Sequence, residues 1–88
     1  MSLFSGQTSV GTTATLIDGV AWNNPVVMHI HNNDNTDAVY IGGSNVTTAN
    51  GLKLTKEDSI ELTLHQANQI YAVSGKTGHI ISWIAQKL

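Results

Sequence analysis

Two histidines, His29 and His31, are separated by one residue in the apolar run Val26–His31. In a β-strand this spacing places both imidazoles on the same face, where two such rings can bind one metal ion. A metal site needs further ligands, and His65 and His79 are distant in sequence, with no carboxylate pattern beside the pair. We therefore predict a structural or surface role for both histidines and no bound metal, with a His29–His31 site as the alternative.

A polar run follows, with Asn33, Asn35 and Asp37 at alternate positions. Oxygen ligands spaced in this way open a calcium-binding loop, which also requires a glycine at its sixth position and a glutamate at its twelfth. Ala38 and Ser44 occupy those two positions here. We therefore predict an ordinary Asn/Asp turn.

Motifs for catalysis are missing from the sequence. It contains no Gly-x-Ser-x-Gly element or comparable nucleophile motif. Most of the carboxylates lie in predicted turns, where acidic side chains are usually solvated. We therefore predict that the protein is not an enzyme and uses no cofactor.

The charged residues are few. The 88 residues include four lysines, six acidic residues, no arginine and no cysteine. Nucleic-acid-binding proteins usually present a basic surface rich in arginine, so we predict no nucleic-acid partner. No apolar stretch approaches the roughly 20 residues of a membrane span, and residues 1–6 lack the features of a secretion signal, so we predict no membrane partner and synthesis in the cytoplasm.

Only 11% of the residues are charged, against about 25% in typical soluble proteins. The polar surface is instead supplied by threonine, asparagine, serine and glutamine. A domain of this size without disulfides is marginally stable on its own. We therefore expect neighbouring subunits to cover much of the surface and to add stability.

Short β-branched and aromatic runs, bounded by Gly, Asn and Asp, predict an all-β protein. The predicted strands are Ala14–Ile17, Val26–His31, Ala38–Gly42, Leu52–Leu54, Ser59–Leu64, Ile70–Ser74 and His79–Ala85. About seven short strands indicate a compact antiparallel β-sandwich or small barrel, with residues 14–88 as one domain. Turn signals at Asn50-Gly51, Lys56–Asp58 and Gly75–Gly78 predict an antiparallel meander through the C-terminal half.

Three of these segments carry apolar residues at both alternating sets of positions, namely Ala38–Ile41, Ile70–Val73 and Ile80–Ile84. Burial on one side alone does not explain this pattern. Either these strands lie centrally in the sandwich, or another subunit buries their second face.

Residues 1–13 are rich in Ser, Thr and Gly, and we predict that they form a flexible N-terminal arm. Leu3 and Phe4, near its tip, would enter a pocket on a neighbouring subunit. Trp22 and Trp83 are the other predicted partner contacts, because large aromatic side chains dominate many protein interfaces. Aromatic side chains on a β-sandwich can also stack against sugars, which gives a carbohydrate-binding module as an alternative.

Five segments in order resemble a pattern of small phage virion proteins. They are Val26–His31, Ala38–Gly43, Val46-Thr47 together with Asn50–Leu54, Ser59–Leu62 and Ile70–Gly75. The resemblance extends over most of the chain, from about Val26 to Ala85. This chain departs from the pattern after Leu54, where such sequences usually carry Pro-Gly and it carries Lys56-Glu57.

The resemblance implies a structural virion protein, and we expect a capsid decoration or cement protein that binds the major capsid protein on the outside of a phage head. It would act as a homo-oligomer, a trimer, located in the virion. A phage tail or baseplate component is the alternative within the same class. The resemblance implies no catalytic residues.

Overall fold

The computed structural model describes residues 3–17, 25–64 and 69–87. All regular elements within these ranges are β-strands. These residues therefore contain no helix long and apolar enough to cross a membrane. The strands are β1 Leu3–Val10, β2 Thr15–Leu16, β3 Val26–Asn32, β4 Val39–Gly42, β5 Leu52–Leu54, β6 Ser59–Leu64, β7 Tyr71–Ser74 and β8 His79–Lys87.

The strands form two four-stranded antiparallel sheets. Sheet 1 has the order β1-β8-β3-β6, and sheet 2 has the order β2-β7-β4-β5. Two packed four-stranded sheets with this strand order are a jelly roll. The prediction of an all-β antiparallel sandwich is therefore confirmed.

The predicted C-terminal meander is wrong. Among the eight described strands, β4 and β5 are the only consecutive pair that is hydrogen-bonded, and from β5 onward successive strands alternate between the two sheets. The turn residues at Lys56–Asp58 and Gly75–Gly78 mark where the chain reverses. They do not specify which sheet receives the next strand, because that choice depends on the packing of distant segments.

The N-terminal segment differs from the prediction of a flexible arm. Strand β1 pairs with β8 along its whole length, from Leu3 opposite Gln86 to Val10 opposite His79. Val10 is fully buried and holds one end of the strand in the core. The Trp83 ring covers the middle of β1, where a Cβ atom on Gly6 would lie 2.9 Å from the ring atom Cζ2. Only glycine leaves room for this ring.

The core lies between the two sheets and consists of their inward-facing side chains. Its buried members are Val10, Ile17, Val26, Met28, Ile30, Val39, Ile41, Leu54, Leu64, Ile70, Ala72, Ile81 and Ala85. Ile60, Leu62 and Trp83 are partly buried and pack against this cluster.

Part of the outer face of sheet 2 is covered by the chain itself. Val46, in the β4–β5 connection, is buried and packs over Gly42 and Gly51, where added Cβ atoms would lie 2.7 Å and 2.8 Å from its Cγ2 atom. Val73, on the outer side of β7, is only 2% exposed. The two-sided apolar pattern of β4 and β7 therefore reflects burial within the subunit.

Candidate functional site

The outer face of sheet 1 is open where β1 and β8 lie side by side. The strand register brings together eight outward-facing residues, the β1–β8 face: Leu3, Ser5, Gln7, Ser9, Ile80, Ser82, Ile84 and Gln86. None of the eight is charged. Leu3 is 64% exposed, Ile84 41% and Ile80 39%. The second apolar set of β8 is thus exposed, unlike that of β4 and β7.

A cavity of about 250 Å³ adjoins one end of this face. It is lined by Leu3, Val27, His29, Glu61, Ile84, Ala85 and Gln86. His29 lies between Ile84 of β8 and Glu61 of β6 in the sheet register. The cavity therefore combines an apolar side with one imidazole and one carboxylate.

A chain of polar contacts crosses the other end of the face. The Nδ1 atom of His31 lies 2.7 Å from Oδ1 of Asn33. The amide of Asn33 donates to the Ser82 hydroxyl, which also accepts a longer hydrogen bond of 3.4 Å from the Gln7 amide. These contacts tie β1, β8 and the end of β3 together on the outside of the sheet.

The prediction that His29 and His31 share one face is confirmed, since both point outward from β3. His29 faces the cavity, whereas one ring nitrogen of His31 is engaged by Asn33. In the part of the chain that the structure describes, no group of three or more His, Cys, Asp or Glu side chains is placed to hold a metal ion.

A second polar cluster, the interior network, lies between the sheets and was missed by sequence reasoning. It consists of Asn32, Ser74 and His79, each at most 1% exposed. The Nε2 atom of His79 lies 2.7 Å from Oδ1 of Asn32, and its Nδ1 atom lies 2.9 Å from the Ser74 hydroxyl. The network links the ends of β3 and β8 in sheet 1 to the end of β7 in sheet 2.

The hydrogen-bond partners define which ring nitrogen of His79 carries the proton. The Asn32 amide nitrogen lies 3.0–3.1 Å from the carbonyls of Asp37, Leu54 and Thr55. Because that nitrogen is committed to carbonyls, the Asn32 oxygen faces His79, whose Nε2 must carry the proton. Nδ1 then accepts from the Ser74 hydroxyl. Burial lowers the pKa of His79, which favours this neutral ring.

Serine, histidine and asparagine in this order resemble a nucleophile, its base and an orienting group. A catalytic serine must reach a substrate, and Ser74 is 1% exposed. Its hydroxyl also accepts a hydrogen bond from the Lys76 backbone N–H at 3.3 Å. The arrangement therefore connects the two sheets and does not present a nucleophile.

The predicted Asn/Asp turn is confirmed, with Asp34 at its centre. One carboxylate oxygen of Asp34 accepts hydrogen bonds from the backbone N–H groups of Thr36 and Asp37 at 2.7 Å and 2.8 Å. The other contacts the Lys76 ammonium, which also lies 2.9 Å from Asp37. The Lys76 contact and these hydrogen bonds hold the pKa of Asp34 well below its usual range, and the two carboxylates raise the pKa of Lys76.

The predicted partner contacts do not form one patch. Leu3 belongs to the β1–β8 face, whereas Phe4 points to the opposite side of β1, is 40% exposed, and has the Lys87 ammonium 5.8 Å from its ring centre. Trp83 is half-buried and packs against the core. Trp22 lies outside the described residues.

The aromatic side chains of sheet 2 occupy its outer side. Tyr40 and Tyr71 are both half-buried there. Tyr40 contributes to a cavity of about 230 Å³ together with Asp37, Ala38, Thr48, Gly75 and Lys76.

Comparisons with known proteins support the fold and nothing more specific. No protein-family model matches the sequence, and no curated protein matches it. The fold is similar to that of a chain from the structure of Bacillus endospore appendages, a novel family of disulfide-linked pili. The alignment has a TM-score of 0.57 and 16% identity, and it covers 99% of this chain and 86% of that chain. The 88 residues contain no cysteine, so this chain has no thiol with which to form such a link.

Proposed function

We propose that this chain is a structural subunit that assembles with further copies of itself on a larger particle, and that this particle is a virion. The β1–β8 face carries the proposal, because it exposes Leu3, Ile80 and Ile84 on a surface without charged side chains. Protein interfaces have charge-depleted, apolar centres of this kind.

The contrast between the two sheets supports the proposal. In sheet 2, Val46 of the same chain packs over Gly42 and Gly51, and Val73 on the outer side is only 2% exposed. Sheet 1 has no equivalent cover over β8 among the described residues, so Ile80 and Ile84 stay 39% and 41% exposed. Contiguous exposed apolar residues on a small protein usually mark a contact with another molecule.

The sequence resemblance indicates the kind of particle on which the subunit would assemble. It favours a capsid decoration protein that binds the major capsid protein on the outside of a phage head as a trimer. Jelly rolls are frequent in viral capsid proteins, which is compatible with this setting at the level of the fold. A subunit that binds only assembled capsids stabilises the assembled state by mass action.

A subunit of a surface appendage is the second candidate, favoured by the similarity to the appendage pilus chain. Because these residues contain no cysteine, contacts between copies through them would not be disulfides. The two candidates share the central claim of a self-assembling structural subunit and differ in the particle.

The two settings can be separated by fractionating cells that make the protein. Virions and detached surface appendages are resolved on a density gradient, and each fraction is probed with an antibody against this chain. Recovery with virions supports the decoration protein, and recovery with appendages supports the second candidate. Recovery only as free protein, with none in either particle fraction, contradicts the proposed function.

The role of the β1–β8 face is tested with Ile84→Glu, which places a charge in the middle of it. Leu52→Glu is the matched control, because Leu52 is an equally apolar side chain, 53% exposed on sheet 2. We expect Ile84→Glu to reduce recovery with the particle and Leu52→Glu to leave it unchanged. Equal recovery of both variants would exclude this face as the contact.

A further inference from the structure

We propose that copies of this chain join edge to edge, with β1 of one copy hydrogen-bonded to β6 of the next, so that sheet 1 continues from copy to copy. This inference rests on the proposed self-assembly and names the contact that produces it. It concerns the rim of sheet 1, which is separate from the β1–β8 face.

The lengths of the edge strands single out sheet 1. Its two edges, β1 and β6, contain eight and six residues. The edges of sheet 2, β2 and β5, contain two and three residues. Very short edge strands are one way in which proteins avoid pairing with other chains, and long edge strands offer a row of backbone donors and acceptors. Sheet 2 is protected in this way and sheet 1 is not.

The composition of the two long edges points in the same direction. Natural edge strands are usually blocked by lysine, by proline or by charges that point inward. Strand β1 contains no charged residue and no proline. Strand β6 contains one charge, Glu61, which lies on the outer face. Neither edge therefore carries a lysine, a proline or a charge that points inward.

The strand directions favour a β1–β6 contact. Each neighbouring pair in the order β1-β8-β3-β6 is antiparallel, so β1 and β6 run in opposite directions. A second copy shifted along the sheet therefore places its β6 antiparallel to β1 of the first copy, with both core-facing sides on the same side. The ladder continues without inversion of either subunit.

The side chains on the core-facing side of the two edges are complementary. Continuing the rows of sheet 1 straight across places Phe4 beside Leu62 of the next copy, and Gly6 beside its Ile60. Phe4 is 40% exposed, and Ile60 and Leu62 are only partly buried in the single subunit. The Trp83 ring lies over Gly6, so the added strand would pack against it as well. Pairs of aromatic and aliphatic side chains stabilise neighbouring strands.

The outer side of the contact is free of charge repulsion. The same register places Ser5 beside Glu61 of the next copy. Pairing of two β6 edges would instead bring the two Glu61 side chains toward each other, which is unfavourable for like charges on neighbouring strands. A β1–β6 contact is heterologous, so it gives a closed ring, such as a trimer, where the rotation closes and an open filament where it does not.

The test uses two variants that each disable one edge. Phe4→Lys places a charge on the core-facing side of β1, and Leu62→Lys does the same on β6. Because the two charges are alike, the two altered edges do not pair with each other. Thr63→Lys, at an exposed position of β6, replaces Leu62→Lys if that variant does not fold. Leu52→Glu is the control, and circular dichroism verifies that each variant retains its strands. The molar mass of each protein is measured by light scattering after size exclusion.

We expect wild-type protein and Leu52→Glu to form the same oligomer and each edge variant to be a monomer. In an equimolar mixture of the two edge variants, each partner retains one intact edge, so a complex of two subunits forms and grows no further. Assembly of Leu62→Lys alone would indicate β1–β1 pairing, and assembly of Phe4→Lys alone would indicate β6–β6 pairing. Either result overturns the inference.

Two further results separate this inference from the proposed function. If the wild type and both edge variants form the same oligomer, the edges are not the contact, and the inference fails while self-assembly stands. If the wild type is a monomer at every concentration, self-assembly itself fails, and the edge contact fails with it.

Discussion

Removal of the Asn32 side chain is expected to produce the largest loss of stability among single polar substitutions in the described residues. Asn32 is fully buried at the end of β3. Its oxygen accepts hydrogen bonds from His79 Nε2 at 2.7 Å and from the Asp34 backbone N–H at 3.0 Å. Its nitrogen donates toward the carbonyls of Leu54 and two other residues. Asn32→Ala leaves all of these groups without their partner.

The magnitude follows from the two N–H groups alone. The buried His79 donor left without an acceptor costs about 1–3 kcal/mol, and the part-buried Asp34 N–H adds a smaller amount. A domain of this size has a total stability of about 4–13 kcal/mol, on the basis of about 0.05–0.15 kcal/mol per residue. We therefore expect Asn32→Ala to remove a large fraction of the free energy of unfolding.

The assay is urea denaturation followed by far-UV circular dichroism. Asn33→Ala is the matched control, because the neighbouring Asn33 makes its side-chain contacts at exposed positions on the outer face of sheet 1. We expect the control to lose less than about 1 kcal/mol, as is usual at the surface. A loss for Asn32→Ala no larger than that of Asn33→Ala would refute the structural role of the interior network.

Three other predictions concern pH, a strained turn and a close contact. Because burial lowers the pKa of His79 from its usual 6.5 while the unfolded chain keeps that value, stability should fall as the pH drops below 6.5. The urea midpoint should therefore decrease from about pH 7.5 to about pH 5, and His79→Gln should make this decrease smaller. An equal decrease in that variant would show that a group other than His79 causes the pH dependence. Glu57 has a φ of 56°, a left-handed conformation that costs a non-glycine residue about 1–2 kcal/mol. Glu57→Gly should remove this cost and raise the melting temperature, although the greater entropy of glycine in the unfolded chain offsets part of the gain. Glu57→Ala should give no gain. A Cβ atom on Gly51 would lie 2.7 Å from Cβ of Tyr40, so Gly51→Ala should cost about 1–3 kcal/mol, while Gly75→Ala, with nothing within 4 Å, should change the urea midpoint little.

The strands that the sequence predicts well are those with clear local patterns. Ser59–Leu64 and Leu52–Leu54 have the predicted bounds, because alternating apolar residues and neighbouring turn residues define them locally. The Thr55–Asp58 turn also agrees, since the Asp58 N–H donates to the Thr55 carbonyl at 3.0 Å. Glu57 has a positive φ in this turn, a backbone conformation that favours glycine at this turn position.

Strand β1 was not predictable from its own residues. Its core-facing positions are Phe4, Gly6, Thr8 and Val10, of which only two are apolar, so the period-two signal is weak. The strand is stabilised by pairing with β8 at the other end of the chain and by the Trp83 ring over Gly6. Both contacts join residues at least 69 positions apart, as the Gln7–Ser82 hydrogen bond with a separation of 75 illustrates.

The candidate site was predictable only in part. Alternation placed His29 and His31 on one face. The apolar residues at both sets of positions in Ile80–Ile84 indicated either a central strand or a face for another subunit. The interior network depends on three polar residues brought together from β3, β7 and β8. No local pattern connects Asn32 with His79, which is 47 positions away, so only the fold reveals that they pair.

The most direct test of the central claim is the molar mass of the wild-type protein in solution, measured by light scattering after size exclusion from micromolar to millimolar concentration. We predict a mass above the 9.4 kDa of a single chain, either a stable trimer or a series that grows with concentration. A constant mass of 9.4 kDa across the whole range would contradict self-assembly and the edge contact derived from it.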